Sequence, residues 1–191
     1  MRVLVVDNGG QWTHREWRVL RDLGAETEIV SNRTPMDSIV ADGILLSGGS
    51  PRVGLDGEAM GMCGEYLDKL DVPILGICAG HQYMALHLGG KAGPSATPEF
   101  GKTLVSVVDE DVLFKGLPES FIAWESHNDE VTDLPPGFKL LANSETCPVQ
   151  AMRHESRPLF GLQFHPEVEH TDNGYEILQA FLDVCEAYKK G

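Results

Sequence analysis

Long apolar runs, a cysteine framework and positive charge are all scarce in this 191-residue sequence. The N-terminal run Met1-Arg2-Val3-Leu4-Val5-Val6-Asp7 is too short for a signal peptide or a membrane span. It reads as a first strand, and the expected location is the cytoplasm. Cysteine is limited to Cys63, Cys78, Cys147 and Cys185, spaced too widely for a disulfide framework, so reduced thiols are expected. Lysine and arginine number 15 against 29 aspartates and glutamates, a formal charge of −14. Such a surface repels phosphate, which argues against unaided binding of nucleic acid or an anionic membrane. A small substrate or a protein partner fits better, although a solvated acidic surface would give the same count and names no partner. Repeats, low-complexity stretches and interdomain linkers are also lacking. One core spanning residues 1–191 is the expectation.

What is present is an alternation of short apolar runs and helical segments. Val3 to Val6, Gly43 to Leu46 and Ile74 to Cys78 read as buried strands; Asp7-Asn8-Gly9-Gly10 and Ser47-Gly48-Gly49-Ser50-Pro51 close the first two as turns. Pro73 is tolerable at the start of the third. Helices are expected over 15–23, from Gln82 to a stop at Gly89-Gly90, and over 175–188. This order predicts a flavodoxin-like α/β fold: an open, mostly parallel sheet with helices on both faces. The later short runs, 103–108, 123–124, 138–141, 149–152 and 159–164, predict a smaller mixed or antiparallel portion.

The segment Gly76-Ile77-Cys78-Ala79-Gly80 has the form glycine, any residue, nucleophile, any residue, glycine, between strand and helix. Flanking glycines permit a strained turn that exposes the middle side chain, and a thiol at a helix N-terminus is favoured as thiolate. A buried structural cysteine between packing glycines is the bland alternative. Cys63, Cys147 and Cys185 lack this setting and read as structural. A nucleophilic thiol needs a base and a group to orient that base. Gln163-Phe164-His165-Pro166-Glu167 supplies both, with His165 as base and Glu167 as orienter, placed on one side by strand-like alternation. Alone, a His-x-Glu pair is weak; the upstream elbow gives it meaning. Metal binding by His165, Glu167 and His170 is disfavoured, because the helical His-Glu-x-x-His spacing is absent and Pro166 opposes a helix. His14, His87 and His154 read as surface or structural residues. Gly101-Lys102-Thr103 hints at a phosphate loop, but Ala96 stands where its first glycine belongs, so no nucleotide site is supported. Amides of the Ser47–Pro51 turn, with that of Ala79, could hold an oxyanion.

Taken together, Gly76-Ile77-Cys78-Ala79-Gly80-His81-Gln82 and Phe164-His165-Pro166-Glu167 resemble the two signatures of class I glutamine amidotransferase domains. Within that family the resemblance is nearest to the separate glutaminase subunit of archaeal-type GMP synthase. It rests on Asp7-Asn8-Gly9-Gly10-Gln11, on Trp124-Glu125-Ser126-His127-Asn128-Asp129-Glu130-Val131 and on Pro166-Glu167-Val168-Glu169-His170-Thr171. The resemblance implies that Cys78 attacks the side-chain amide of glutamine, that His165 protonates departing ammonia, and that Glu167 holds His165. It further implies that Gln82 and the backbone near Ser126, His127, Asn128 and Asp129 grip glutamine, while Gly49 and Ala79 line an oxyanion hole. In many members proline directly follows the paired glycines; here Ser50 intervenes before Pro51, so either Gly49 or Ser50 could present the amide. No cofactor is expected in this chain. The implied partner is an ATP-pyrophosphatase subunit that binds ATP and Mg and converts XMP to GMP. A glutaminase for anthranilate or carbamoyl phosphate synthesis, a non-catalytic flavodoxin-like binding module and, more distantly, a peptidase are the competing readings.

Overall fold

The computed structural model describes residues 1–190. Its centre is one nine-stranded sheet, and the chain enters it through β1 (Arg2–Asn8), where consecutive apolar residues take opposite faces. Val3 and Val5 join one core; Leu4 and Val6 join the other. The same division runs through β3 (Gly43–Gly49) and β4 (Ile74–Ile77): Leu45 and Leu75 face one way, Ile44, Leu46 and Ile74 the other. Strands buried on both faces need apolar residues at every position, which is why they read as unbroken runs.

Helices cover both faces. On one side lie α1 (Thr13–Asp22), which contributes Val19 and Leu20, and α4 (Gly174–Lys190), which contributes Ile177, Leu178 and Phe181. On the other lie α2 (Cys63–Lys69), with Tyr66 and Leu67, and α3 (Ala79–His87), with Met84 and Ala85. None of the described helices is long and apolar enough to cross a membrane.

The remaining strands are β2 (Glu26–Ser31), β5 (Lys91–Val107), β6 (Ser120–Asp133), β7 (Phe138–Asn143), β8 (Ala151–His154) and β9 (Leu159–Leu162). The spatial order is β2-β1-β3-β4-β9-β8-β7-β5-β6. The first five are parallel neighbours, and β9 is where direction changes, pairing parallel with β4 and antiparallel with β8. The expected α/β sheet with an antiparallel portion is therefore what forms, with two refinements. The 159–164 run belongs to the parallel set on one edge, and the run at 103–108 is the end of a long hairpin of β5 and β6. Ends of β1, β3, β4 and β9 gather at one edge of the sheet, the position where open α/β sheets carry their sites.

Candidate active site

The turn from β4 into α3 holds Cys78 at φ 48°, ψ −105°, a backbone region that non-glycine residues seldom occupy. Close packing enforces it. A Cβ on Gly76 would lie 2.6 Å from the Gly80 carbonyl carbon, and one on Gly80 would overlap the Leu46 carbonyl oxygen. Strand and helix can approach this closely only because both residues are glycine. The Cys78 amide donates to Leu162 O at 2.8 Å, tying the elbow to the end of β9, and its carbonyl accepts the Gln82 amide at 2.9 Å as the first helical bond. Ala79, the first helical residue, has one of the first-turn amides without an intrahelical acceptor.

Three residues beyond β9 stands His165. Its amide donates to Trp124 O at 3.0 Å and its carbonyl accepts from Thr171 Oγ1 at 2.7 Å, so the segment is fastened to β6. His165 Nδ1 and Glu167 Oε1 lie 2.7 Å apart, both side chains buried. The two are brought together by a turn, in which Val168 N donates to His165 O, and not by the strand alternation expected around Phe164, because β9 ends at Leu162. The His165 ring and Cys78 line one cavity, and Trp12 packs edge-on against the ring with centroids 4.5 Å apart. Burial alone would lower His165; the Glu167 carboxylate and the Cys78 side chain hold it well above the ordinary imidazole value. A buried, charged imidazole between a thiol and a carboxylate is the arrangement that nucleophilic cysteine chemistry uses. The other cysteines are buried without partners of this kind, and burial pushes Cys63 and Cys185 up to about 12 and Cys147 higher still.

A cavity of about 180 Å³ beside Cys78 is lined by Gln82, Ser126, His127, Asn128, Asp129 and Arg52, among others. Gln82 donates from Nε2 to Asp129 O at 2.6 Å and to Gln163 Oε1 at 3.1 Å, so its role is first to fix the 126–129 strand. Ser126 O approaches Cys78 Sγ at 4.0 Å. Asn128 is exposed, whereas Asp129 is buried and paired with Arg52 at 2.7 Å. The His127 ring turns away from the nucleophile: Nδ1 meets Asp129 O at 3.0 Å and Nε2 meets Glu99 Oε2 at 2.9 Å. Glu125 Oε2 approaches the same Nε2 at 3.4 Å, and burial, then Glu99, drives the Glu125 carboxyl well above the usual range. Burial opposes ionisation of Glu99 as well, but hydrogen bonds from His127, Ser144 and Thr146 outweigh it and lower that group.

Gly49 and Ser50 both line the space beside Cys78. The preceding peptide is fixed: Ser47 Oγ donates to Gly48 O at 2.7 Å and the Gly48 amide donates to Glu16 Oε1 at 3.2 Å. Glu16, Arg52, Trp12 and the Glu99–Glu125 pair were not singled out from sequence. Glu16 shares the buried face of α1 with Thr13, Val19 and Leu20, a placement that its position in an acidic first turn does not reveal. His14 is exposed, His87 pairs with Asp68, His154 accepts turn amides, and His170 lies on the surface beside Glu169. Among the described residues, Glu99, His127 and Cys147 lie close enough to share a metal ion, but Glu99 and His127 already satisfy one another. A larger cavity, about 850 Å³, opens near the opposite strand ends between Asp42, Asp71, Arg157 and Tyr188, and is lined by no cysteine.

The family model for class I glutamine amidotransferases matches residues 4–185. The chain belongs to that family. It is 51% identical to the glutamine-hydrolyzing GMP synthase subunit of Thermoplasma volcanium, across 100% of this chain and 95% of the relative. Its identity to the Thermococcus kodakarensis protein of the same name is 50%, across 96% and 98%. A crystal structure of a Thermoplasma acidophilum protein, proposed to be a GMP synthase subunit, superposes with a TM-score of 0.95 at 48% identity, covering 100% of this chain and 96% of that one. A glutamine amidotransferase of Thermotoga maritima shares the fold, with a TM-score of 0.72 at 21% identity across 100% and 86%.

Proposed function

We propose that this amidotransferase is the glutaminase subunit of a two-subunit GMP synthase, releasing ammonia from glutamine for a separate synthetase subunit. The observation that carries the reaction is the Cys78, His165 and Glu167 constellation at the strand ends, beside a cavity walled by Gln82 and Asp129. The full-length likeness to GMP synthase subunits of other organisms supports the acceptor.

The Cys78 sulfur adds to the glutamine amide carbon, and amides of Ala79 and of Gly49 or Ser50 stabilise the oxyanion. Charged His165 gives its proton to the amide nitrogen, ammonia leaves, and a glutamyl thioester remains. Water then hydrolyses the thioester to glutamate, with His165 as base. Glu167 fixes the ring through Nδ1, so that its other nitrogen faces the reaction. The carboxylate of Asp129 and the carbonyls of the 126–129 strand suit the ammonium group of an amino acid, while Arg52 suits its carboxylate. ATP and Mg act on the synthetase subunit, where XMP becomes GMP, and the complex works in the cytoplasm.

The test combines the chain with a synthetase subunit, glutamine, XMP, ATP and Mg, and follows GMP and glutamate together. One glutamate per GMP is expected, along with stoichiometric labelling of Cys78 by an electrophilic glutamine analogue. A chain that stays unlabelled and releases no ammonia with its partner is a binding module instead.

A further inference from the structure

Two cavities adjoin Cys78 and share Gly49, Ser50 and Ser126. The one beside Gln82 and Asp129 suits the charged end of an amino acid. The other, about 280 Å³, is lined by His165 and Trp12. In acyl transfer one base gives its proton to the departing nitrogen and later takes one from water, so its ring has to keep one direction through both steps. Glu167 grips the ring at a single atom, Nδ1, across 2.7 Å. A ring held at one atom can still swing about that bond. Misplacing a reacting group by about 1 Å costs on the order of a hundredfold in rate, so a second hold on the ring has catalytic value.

The turn after β1 supplies that hold. Asp7 Oδ1 accepts the Gly9 amide at 2.9 Å and the Thr13 hydroxyl at 3.1 Å, which closes the turn on itself. A Cβ on Gly10 would overlap the Gly48 carbonyl oxygen, so the turn also sits directly against the end of β3. Trp12 comes next, as the residue before α1. Its carbonyl accepts the amides of Arg15 at 2.7 Å and Glu16 at 3.0 Å, so its backbone is fixed by the start of the helix. From this fixed point the half-buried indole reaches His165, with ring centroids 4.5 Å apart and planes inclined at 73°, the edge-to-face contact that aromatic pairs favour. Gly48 confines the ring as well, since a Cβ there would lie 3.1 Å from His165 Cε1. We propose that Trp12 is a positioning residue for His165, its indole blocking the swing that the single Glu167 hydrogen bond leaves open. The free ring nitrogen then keeps its direction while ammonia leaves and water attacks. Trp12 does not line the cavity of Gln82 and Asp129, so its effect belongs to proton transfer and not to the hold on the amino-acid end.

This inference rests on the glutaminase reading, and the test separates the two. Glutamate release is measured for the chain in complex with its synthetase subunit, as wild type, Trp12→Ala, Trp12→Phe, Glu167→Ala and the double variant Trp12→Ala with Glu167→Ala. Urea unfolding is followed in parallel, so that unfolded protein is not counted as slow enzyme. Trp12→Ala is expected to lose about 30-fold or more in kcat, with KM for glutamine held within about threefold. Trp12→Phe keeps an aromatic edge and should retain kcat within about fivefold of wild type. Once Glu167→Ala has released the ring, adding Trp12→Ala should cost less than about threefold more, because both residues act through one orientation. Should alanine at position 12 prevent folding, Trp12→Leu carries the same expectations with a loss of about tenfold. Losses that multiply in the double variant, a KM that rises as far as kcat falls, a phenylalanine variant as slow as alanine, or no loss at all each overturn the role given to Trp12. A wild-type complex that makes no ammonia from glutamine overturns the glutaminase reading itself, and the role of Trp12 with it.

Discussion

His81 offers the sharpest test of how this fold depends on pH. It stands in the first turn of α3, is fully buried, and makes one hydrogen bond, between Nε2 and Val149 O at 3.1 Å; Nδ1 has no partner. Burial outweighs that hydrogen bond and, with the nearby His127, pulls His81 down from 6.5 to about 3. The folded state therefore keeps the ring neutral in a range where the unfolded chain protonates it. Between about pH 6.5 and 3 the unfolded state binds one more proton, so stability rises with pH through this window and is complete above it. The slope is about 1.4 kcal/mol per pH unit, which amounts to about 2 kcal/mol lost at pH 5 from this residue. Other groups titrate in the same range, so the contribution is isolated by difference. His81→Gln keeps a donor for Val149 O and cannot be protonated. Urea unfolding of both proteins at pH 7.5, 6 and 5 should show the wild-type advantage shrinking by about 2 kcal/mol from the first to the last. A gap that stays constant across the series would refute a buried neutral histidine here.

Glu167→Gln leaves the shape of the triad but removes the charge that holds His165 protonated, and about 10²-fold or more should be lost from kcat, measured as glutamate release with the partner present. Asp129→Asn weakens the pair with Arg52 while keeping the backbone carbonyl that receives Gln82; it is expected to raise KM for glutamine about tenfold with a smaller effect on kcat. Gly161→Ala would drive a methyl into His81 Nδ1 and within 3.0 Å of Met152 Cε, behind the elbow. A loss of about 2 kcal/mol in denaturant unfolding is expected, since neither the ring nor the neighbouring strand has room to retreat.

The parts of the site legible in the sequence are those whose chemistry is packed into a few consecutive residues. Gly76 and Gly80 announce a turn because their missing side chains are needed where β4, α3 and Leu46 touch, and His165 with Glu167 are two residues apart in one turn. The buried parallel strands were equally plain, as unbroken apolar runs. β2 was not: Glu26-Thr27-Glu28-Ile29-Val30-Ser31 is an edge strand with a polar exposed side, and its identity comes from pairing with β1. The long β5–β6 hairpin was hidden for a similar reason, because most of β5 is exposed and its register is set by its partner.

Residues that act through neighbours distant in sequence were the least legible. Glu16 looks like the acidic first turn of an amphipathic helix until the Gly48 loop, 32 positions away, is folded against it. His127 reads as a substrate contact from its motif. Its ring meets Glu99 and Glu125 through one nitrogen, Nε2, and through Nδ1 it supports the cavity at Asp129 O, which also receives Gln82. The 126–129 strand is thus held from two directions by buried polar groups. Each of those groups would cost stability if unpaired, so the network favours one geometry of the cavity wall over its alternatives. Rigidity of that wall keeps the amino-acid end of glutamine in place while its amide carbon stays at Cys78. That placement is the condition under which the strained turn at Cys78 becomes useful.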